Sequence, residues 1–241
     1  MSTPRTSVLP GRSPRQHRQR SWPVPAALLV LSAIPVLAGV FRVVQLLGGP
    51  ELIPADHRFA GFPLPLVAHI VGAIMFLMVG ALQLVPQFRR NHPGWHRRAG
   101  RVLAVAGLLV AGSALWMTLF YAAKPGTGAL LYVLRLVFAS AMAICLVLGV
   151  TTIRRGDVVA HRAWMIRGYA IGLAAGTQAI TGGLGGALVG TGILQRDLAM
   201  GSAWVINLTV AEWIIRRNDG SAPARRSVRG GRRPLPAGAS S

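Results

Sequence analysis

Charge is scarce in this chain. Only 13% of its 241 residues are Asp, Glu, Lys or Arg, against roughly 25% in a typical soluble domain, and that deficit excludes an ordinary water-facing globular surface. Cysteine is nearly absent as well. Cys145 stands alone, so there is no internal disulfide and no thiolate metal cluster; it lies within an apolar run and reads as a small core residue. Also missing are a phosphate loop, a G-x-S-x-G elbow, an H-E-x-x-H pair and a C-x-x-C pair. Those absences remove the usual sequence signs of nucleotide, serine-hydrolase, zinc-protease and dithiol chemistry, and the sequence points away from an enzyme.

What is present is apolar: 52% of the residues are hydrophobic. The net charge of +20 would suit a nucleic-acid binder if the bases coated one groove. Instead they fall in clusters between apolar runs of about twenty residues, the length needed to cross a hydrocarbon core of about 30 Å. No nucleic-acid partner is expected. The pattern predicts an all-α, polytopic transmembrane bundle with about six spans, near Trp22–Leu47, Pro63–Val85, Gly100–Ala122, Gly128–Ile153, Ala163–Leu188 and Leu198–Ile215. The first run is too long for the h-region of a signal peptide and lacks a small-x-small cleavage site, so it reads as a retained span, kinked or started by Pro23, Pro25 and Pro35. In the fifth, the glycines of "TGGLGGALVGTG" leave open whether the outer end crosses or re-enters. Residues 1–21 and 216–241, basic and rich in Ser, Pro and Gly, read as disordered tails suited to anionic lipid. Nothing in the sequence sets the oligomeric state.

The bases also give an orientation. With six spans, both tails and the loops Arg89–Arg101 and Arg154–Arg167 share one side, and they hold 21 of the 26 Lys and Arg. The positive-inside rule makes that side cytoplasmic. "RRNHPGWHRR" (Arg89–Arg98) is then an inner hairpin whose arginines anchor two spans.

The spacing R-R-x-x-x-x-x-H-R occurs twice, at Arg89–Arg97 and Arg154–Arg162, offset by 65 residues. It suggests two parallel repeats with His96 and His161 as equivalent residues. "AHIVGAIMFLMVGALQLVPQFRR", "HRRAGR" and "HRAWMIRGYA" together carry a His early in one span, G-x-x-Q near its inner end, H-R-x-x-G-R opening the next and H-x-x-W-M-x-R-x-Y opening a later one. On these motifs, from about Leu66 to Glu212, the chain resembles a bacterial multi-pass membrane family, domain of unknown function 2306. The resemblance implies a protein of the bacterial cytoplasmic membrane, with no established activity. It marks His69, Gly80, Gln83, His96, Arg97, Gly100, Arg101, His161, Trp164, Met165, Arg167 and Tyr169.

Ionisable groups inside spans are functional candidates by default. His69 and Arg135 each fall about 9 Å below the outer surface at 1.5 Å per residue, and Gln178 reaches a similar depth from the other side. These three suggest an outer-half polar pocket for a small anionic ligand, with Arg135 favouring the anion. Asn207 suits an interhelical hydrogen bond, Glu212 an ion pair with Arg101 or Arg167, and Gly168, Gly172 and Gly176 a close helix approach. A second reading is redox: His96 and His161 as axial ligands of a b-type haem, with inner arginines on its propionates. That arrangement resembles the cytochrome b561 class, which however has a histidine pair for each membrane face; His69 has only the loop residue His57 as an outer partner. A third reading is a scaffold or accessory protein without chemistry of its own.

Overall fold

A computed structural model describes residues 23–188 and 190–219. Among these there are seven α-helices, one short 3-10 turn and no strand: α1 (Pro23–Leu46), α2 (Leu64–Gln83), α3 (Pro86–Asn91), α4 (Pro93–Phe120), α5 (Ala129–Arg154), α6 (Val158–Leu188) and α7 (Ile193–Asp219). Five of them, Pro25–Leu46, Leu64–Gln83, Pro93–Phe120, Ala129–Arg154 and Ile193–Arg217, are long and apolar enough to cross a membrane. The sixth long helix, α6, is the longest at 31 residues, but its glycines, Gln178 and arginines dilute its apolar content. Its position explains why it tolerates them. It packs against α1, α2, α5 and α7, so neighbours cover most of its surface from 163 to 178, whereas most residues from 179 to 188 are exposed.

Three helices start earlier than the apolar runs, while α1, α2 and α5 start within one residue of them. α4 begins at Pro93 rather than Gly100, α6 at Val158 rather than Ala163, and α7 at Ile193 rather than Leu198. Spans read from hydropathy start where charge stops, whereas a helix continues as long as its backbone can be capped. Pro93 is preset for a first helical turn, and the Asp157 side chain caps α6 by accepting from the Ala160 N–H at 2.9 Å. "RRNHPGWHRR" is therefore not a loop: Arg89–Asn91 end α3 and Pro93–Arg98 open α4. The glycine-rich stretch of α6 stays helical to Leu188. Arg216 to Asp219, expected in the second tail, continue α7. The remaining tail residues lie outside the described segments.

Small residues set the packing. Phe76, Leu103, Met142, Leu146 and Tyr169 belong to one buried cluster, with Leu146 fully buried and Cys145 beside it. A Cβ on Gly107 would stand 2.6 Å from Leu146 and 2.7 Å from Phe76, so at that point of α4 only a glycine lets Leu146 and Phe76 pack as they do. On α6, Gly168 faces Cys145 and Leu146, Gly172 faces Phe76, and Gly176 faces the Leu31 carbonyl. The G-x-x-x-G-x-x-x-G face is thus in close contact along its whole length.

Two ends can be distinguished: the tail end, where α1 begins and α7 finishes, and the far end, which carries the 47–63 loop, the α4–α5 turn and the start of α7.

Candidate functional site

His69, Arg135 and Gln178 line one cavity of about 510 Å³ in the far half of the bundle. They come from α2, α5 and α6. His69 is fixed first. Its Nδ1 lies 3.1 Å from both the Val110 carbonyl and Ser113 Oγ, and the Ser113 hydroxyl donates to the Leu109 carbonyl at 2.6 Å. A carbonyl only accepts, so Nδ1 carries the hydrogen and Nε2 is the ring nitrogen left for the cavity. Gln178 Nε2 donates to the Met200 carbonyl at 3.2 Å, which pins the amide against α7. Arg135 is held differently. Among the described residues it belongs to neither of the two ion pairs, Arg58–Asp56 and Arg167–Glu212, and no protein group hydrogen-bonds its guanidinium.

Arg58, Phe59, Tyr121 and Thr127 line the mouth. The Arg58 guanidinium meets Asp56 at 2.6 and 2.8 Å and the Ala122 carbonyl at 3.2 Å; the ring of Tyr121 meets Phe59 edge-on at 5.1 Å, and its hydroxyl donates to the Phe62 carbonyl. These bonds tie the 47–63 loop to the end of α4. The Arg58 guanidinium holds the Asp56 carboxyl below its ordinary value. Among the described residues no Asp or Glu lines the cavity. The wall is thus apolar with a few fixed polar groups, as expected of ligand pockets, and its formal charge is of one sign.

Asp197 is a residue that sequence reasoning misses. It is 1% exposed, and its carboxylate accepts from the Gly128 N–H at 3.0 and 3.1 Å and from the Leu131 N–H at 3.0 Å. It caps α5 from a different helix and complements the helix dipole. A Cβ on Gly128 would stand 2.6 Å from that carboxylate, so the approach needs glycine. The same cap places Arg135 on the second turn of α5, where the Asp197 charge still reaches it.

The tail-end residues form separate contacts. His96 and His161 are each the fourth residue of their helices, α4 and α6, and each backbone N–H bonds the residue before the helix, His92 or Asp157, at 3.0 Å. Beyond that the chemistry differs. Gln83 Nε2 donates to the His96 carbonyl at 3.2 Å, while His161 Nδ1 donates to the Gly149 carbonyl at 2.7 Å. Arg167 pairs with Glu212 at 2.5 and 3.0 Å and lies over Trp164 at 4.8 Å; Arg97 and Arg101 are exposed. Tyr169 covers Gly80 and donates to the Leu77 carbonyl at 3.0 Å. Asn207 joins Thr177 at 2.9 Å and the Ala170 carbonyl at 3.1 Å.

A haem between α4 and α6 would suit the free Nε2 of His161, since a ligating imidazole commonly donates its other N–H to a carbonyl. The space does not suit it. Gly168 and Gly172, the small faces a porphyrin would lie against, are filled by Cys145, Leu146 and Phe76, and Gly100 has nothing within 4 Å of its Cβ position. These residues do not fit the group.

Neither a curated protein nor a solved structure matches the chain. The family described as Predicted membrane protein (DUF2306) matches residues 66–215, a segment that runs from the cavity's α2 wall to the last turns of α7, and the chain belongs to that family.

Proposed function

We propose that this membrane protein takes a small anionic ligand into the far-end cavity, as a binding or transport-like helical bundle. The observation that carries the reading is Arg135: a guanidinium on the wall of a mainly apolar cavity with, among the described residues, no carboxylate on that wall and no hydrogen-bond or ion-pair partner of its own. A buried charge is costly unless paired, and an anion supplies the pair through two parallel N–H···O bonds. On the positive-inside rule the far end faces away from the cytoplasm, so the ligand enters from outside, with the basic tails on the cytoplasmic surface of a bacterial plasma membrane. Toward the tail end the cavity wall passes into the buried cluster through Leu77, Met142 and Ile171.

Trp204 lines the cavity and serves as the reporter. With the protein in lipid nanodiscs, 4-bromobenzoate is expected to quench Trp204 fluorescence saturably, the signal being wild type minus Trp204→Phe. Arg135→Gln abolishes saturation and Arg135→Lys keeps it. Equal, non-saturating quenching in wild type and Arg135→Gln sinks the reading, as does equal quenching by 4-bromobenzylamine.

A further inference from the structure

The anion-pocket reading leaves the ligand's class open, and the cavity's polarity narrows it. The lining falls into three levels along the bundle axis. Arg58, Tyr121 and Thr127 stand at the mouth. His69 and Arg135 lie five and six residues inside α2 and α5, about 8–9 Å in at 1.5 Å per residue. Beyond them the wall holds Ala73, Leu77, Ala139, Met142 and Ile171, down to Leu77 and Met142, each thirteen residues inside its helix and so about 20 Å in. Trp204, stacked on Phe138 about one turn below Arg135, adds an indole N–H at the top of that wall; below it, among the described residues, no lining side chain offers a polar group.

A compact inorganic anion would use the middle level and leave the lower chamber without a complement. A dianion would find a single guanidinium at its own depth, since Arg58 stands at the mouth and is occupied by Asp56. We propose that the ligand is an amphiphilic monoanion: a carboxylate on Arg135, with an unbranched hydrocarbon chain running inward to Leu77 and Met142. The chamber between the two levels is about 11 Å deep, room for roughly eight to ten carbons. The orientation follows from the walls, because a chain pointing outward would lie against Arg58, Tyr121 and Thr127 while the apolar floor stayed uncovered.

The proposal rests on the anion-pocket reading, and the test separates the two. Straight-chain carboxylates from butyrate to tetradecanoate compete with 4-bromobenzoate at Trp204 in nanodiscs, each plotted against its free aqueous concentration and against an Arg135→Gln blank for bilayer partition. The expected result is displacement that tightens by up to about fourfold per added methylene and levels off near ten carbons. Ala139→Leu, about one turn below Arg135, moves that plateau about two carbons shorter without changing butyrate. Ala175→Leu, about one turn below Gln178, does the same from α6 and serves if the first variant does not fold. Equal displacement by butyrate and decanoate overturns the amphiphile and leaves the anion pocket standing. Decylamine competing as well as decanoate overturns the carboxylate. Failure of 4-bromobenzoate itself to bind folded wild type removes the underlying reading and this one with it.

Discussion

The carbonyl oxygen of Leu31 lies 2.2 Å from the point that a Cβ on Gly176 would occupy. That contact has a chemical origin in α1. Pro35 stands inside the helix and has no N–H to give the carbonyl four residues back, so the Leu31 oxygen is released toward α6. Ser32, fully buried, bonds the neighbouring Leu28 carbonyl at 2.8 Å. Gly176→Ala is expected to force α1 and α6 apart and to destabilise the protein by about 1–3 kcal/mol, the usual cost of overpacking. Thermal unfolding in detergent measures it; an unchanged midpoint would show that α1 is loosely held.

Asp197 supports both the fold and the cavity. Asp197→Ala leaves the Gly128 and Leu131 N–H groups without their acceptor, at a cost of roughly 2–4 kcal/mol. Asn in its place retains one acceptor oxygen and should recover about half. The charge has a second effect. Removing it in Asp197→Asn strengthens the field of Arg135 on a bound anion, so 4-bromobenzoate should bind more tightly to that variant than to wild type. Weaker binding in a folded Asp197→Asn protein would mean that the cap positions Arg135 more than its charge opposes the ligand.

How much of this was legible in the sequence follows from the kind of regularity each feature obeys. His69, Arg135 and Gln178 converge because helical rise is constant, so counting residues from the ends of apolar runs gives depth whatever the rotation of each helix. Glu212 had two candidate arginines, and only packing selects Arg167. Asp197 was invisible to a reading that starts the last span at Leu198, since it then falls in a loop; a single acid beside Arg196, at the end with few bases, was the available signal. The 65-residue offset does carry over to the starts of α4 and α6. It does not predict the contacts of His96 and His161, because Pro86 breaks the first hairpin into α2 and α3 while α5 runs unbroken to Arg154.

The 47–63 loop should respond to acid. The Asp56 carboxyl is held below the ordinary carboxylate range, chiefly by its hydrogen bond from Arg58. A group with a depressed folded pKa stabilises the fold above its unfolded value and loses that contribution as pH falls through the folded one. The loop therefore loosens progressively as pH falls below the ordinary carboxylate range, and Asp56→Asn removes that step while leaving behaviour at neutral pH similar. Hydrogen exchange of residues 56–62, followed from pH 5 to pH 3 with correction for intrinsic rates, reads it. A wild-type profile that coincides with that of Asp56→Asn would show that the pair does not hold the loop.

Orientation is the last prediction, and it follows from charge rather than from packing. Arg89, Arg90, Arg97, Arg98, Arg154, Arg155, Arg162, Arg216 and Arg217 all lie at the tail end, whereas the far end carries Arg42, Arg58, Lys124 and Arg196 with Glu51, Asp56 and Asp197. Only Lys and Arg near helix ends weigh in the positive-inside rule, so the acids do not alter the outcome. A reporter active only in the cytoplasm should work when fused after Arg90, Arg155 or Arg217 and fail after Gly49, Pro125 or Gly192. The Gly192 fusion is the most informative of the six. α6 spans about 46 Å at 1.5 Å per residue, enough to cross, yet it is the one long helix whose composition does not by itself demand lipid. If its far end reports cytoplasm, α6 does not cross, and the cavity built on Gln178 cannot open to the outside.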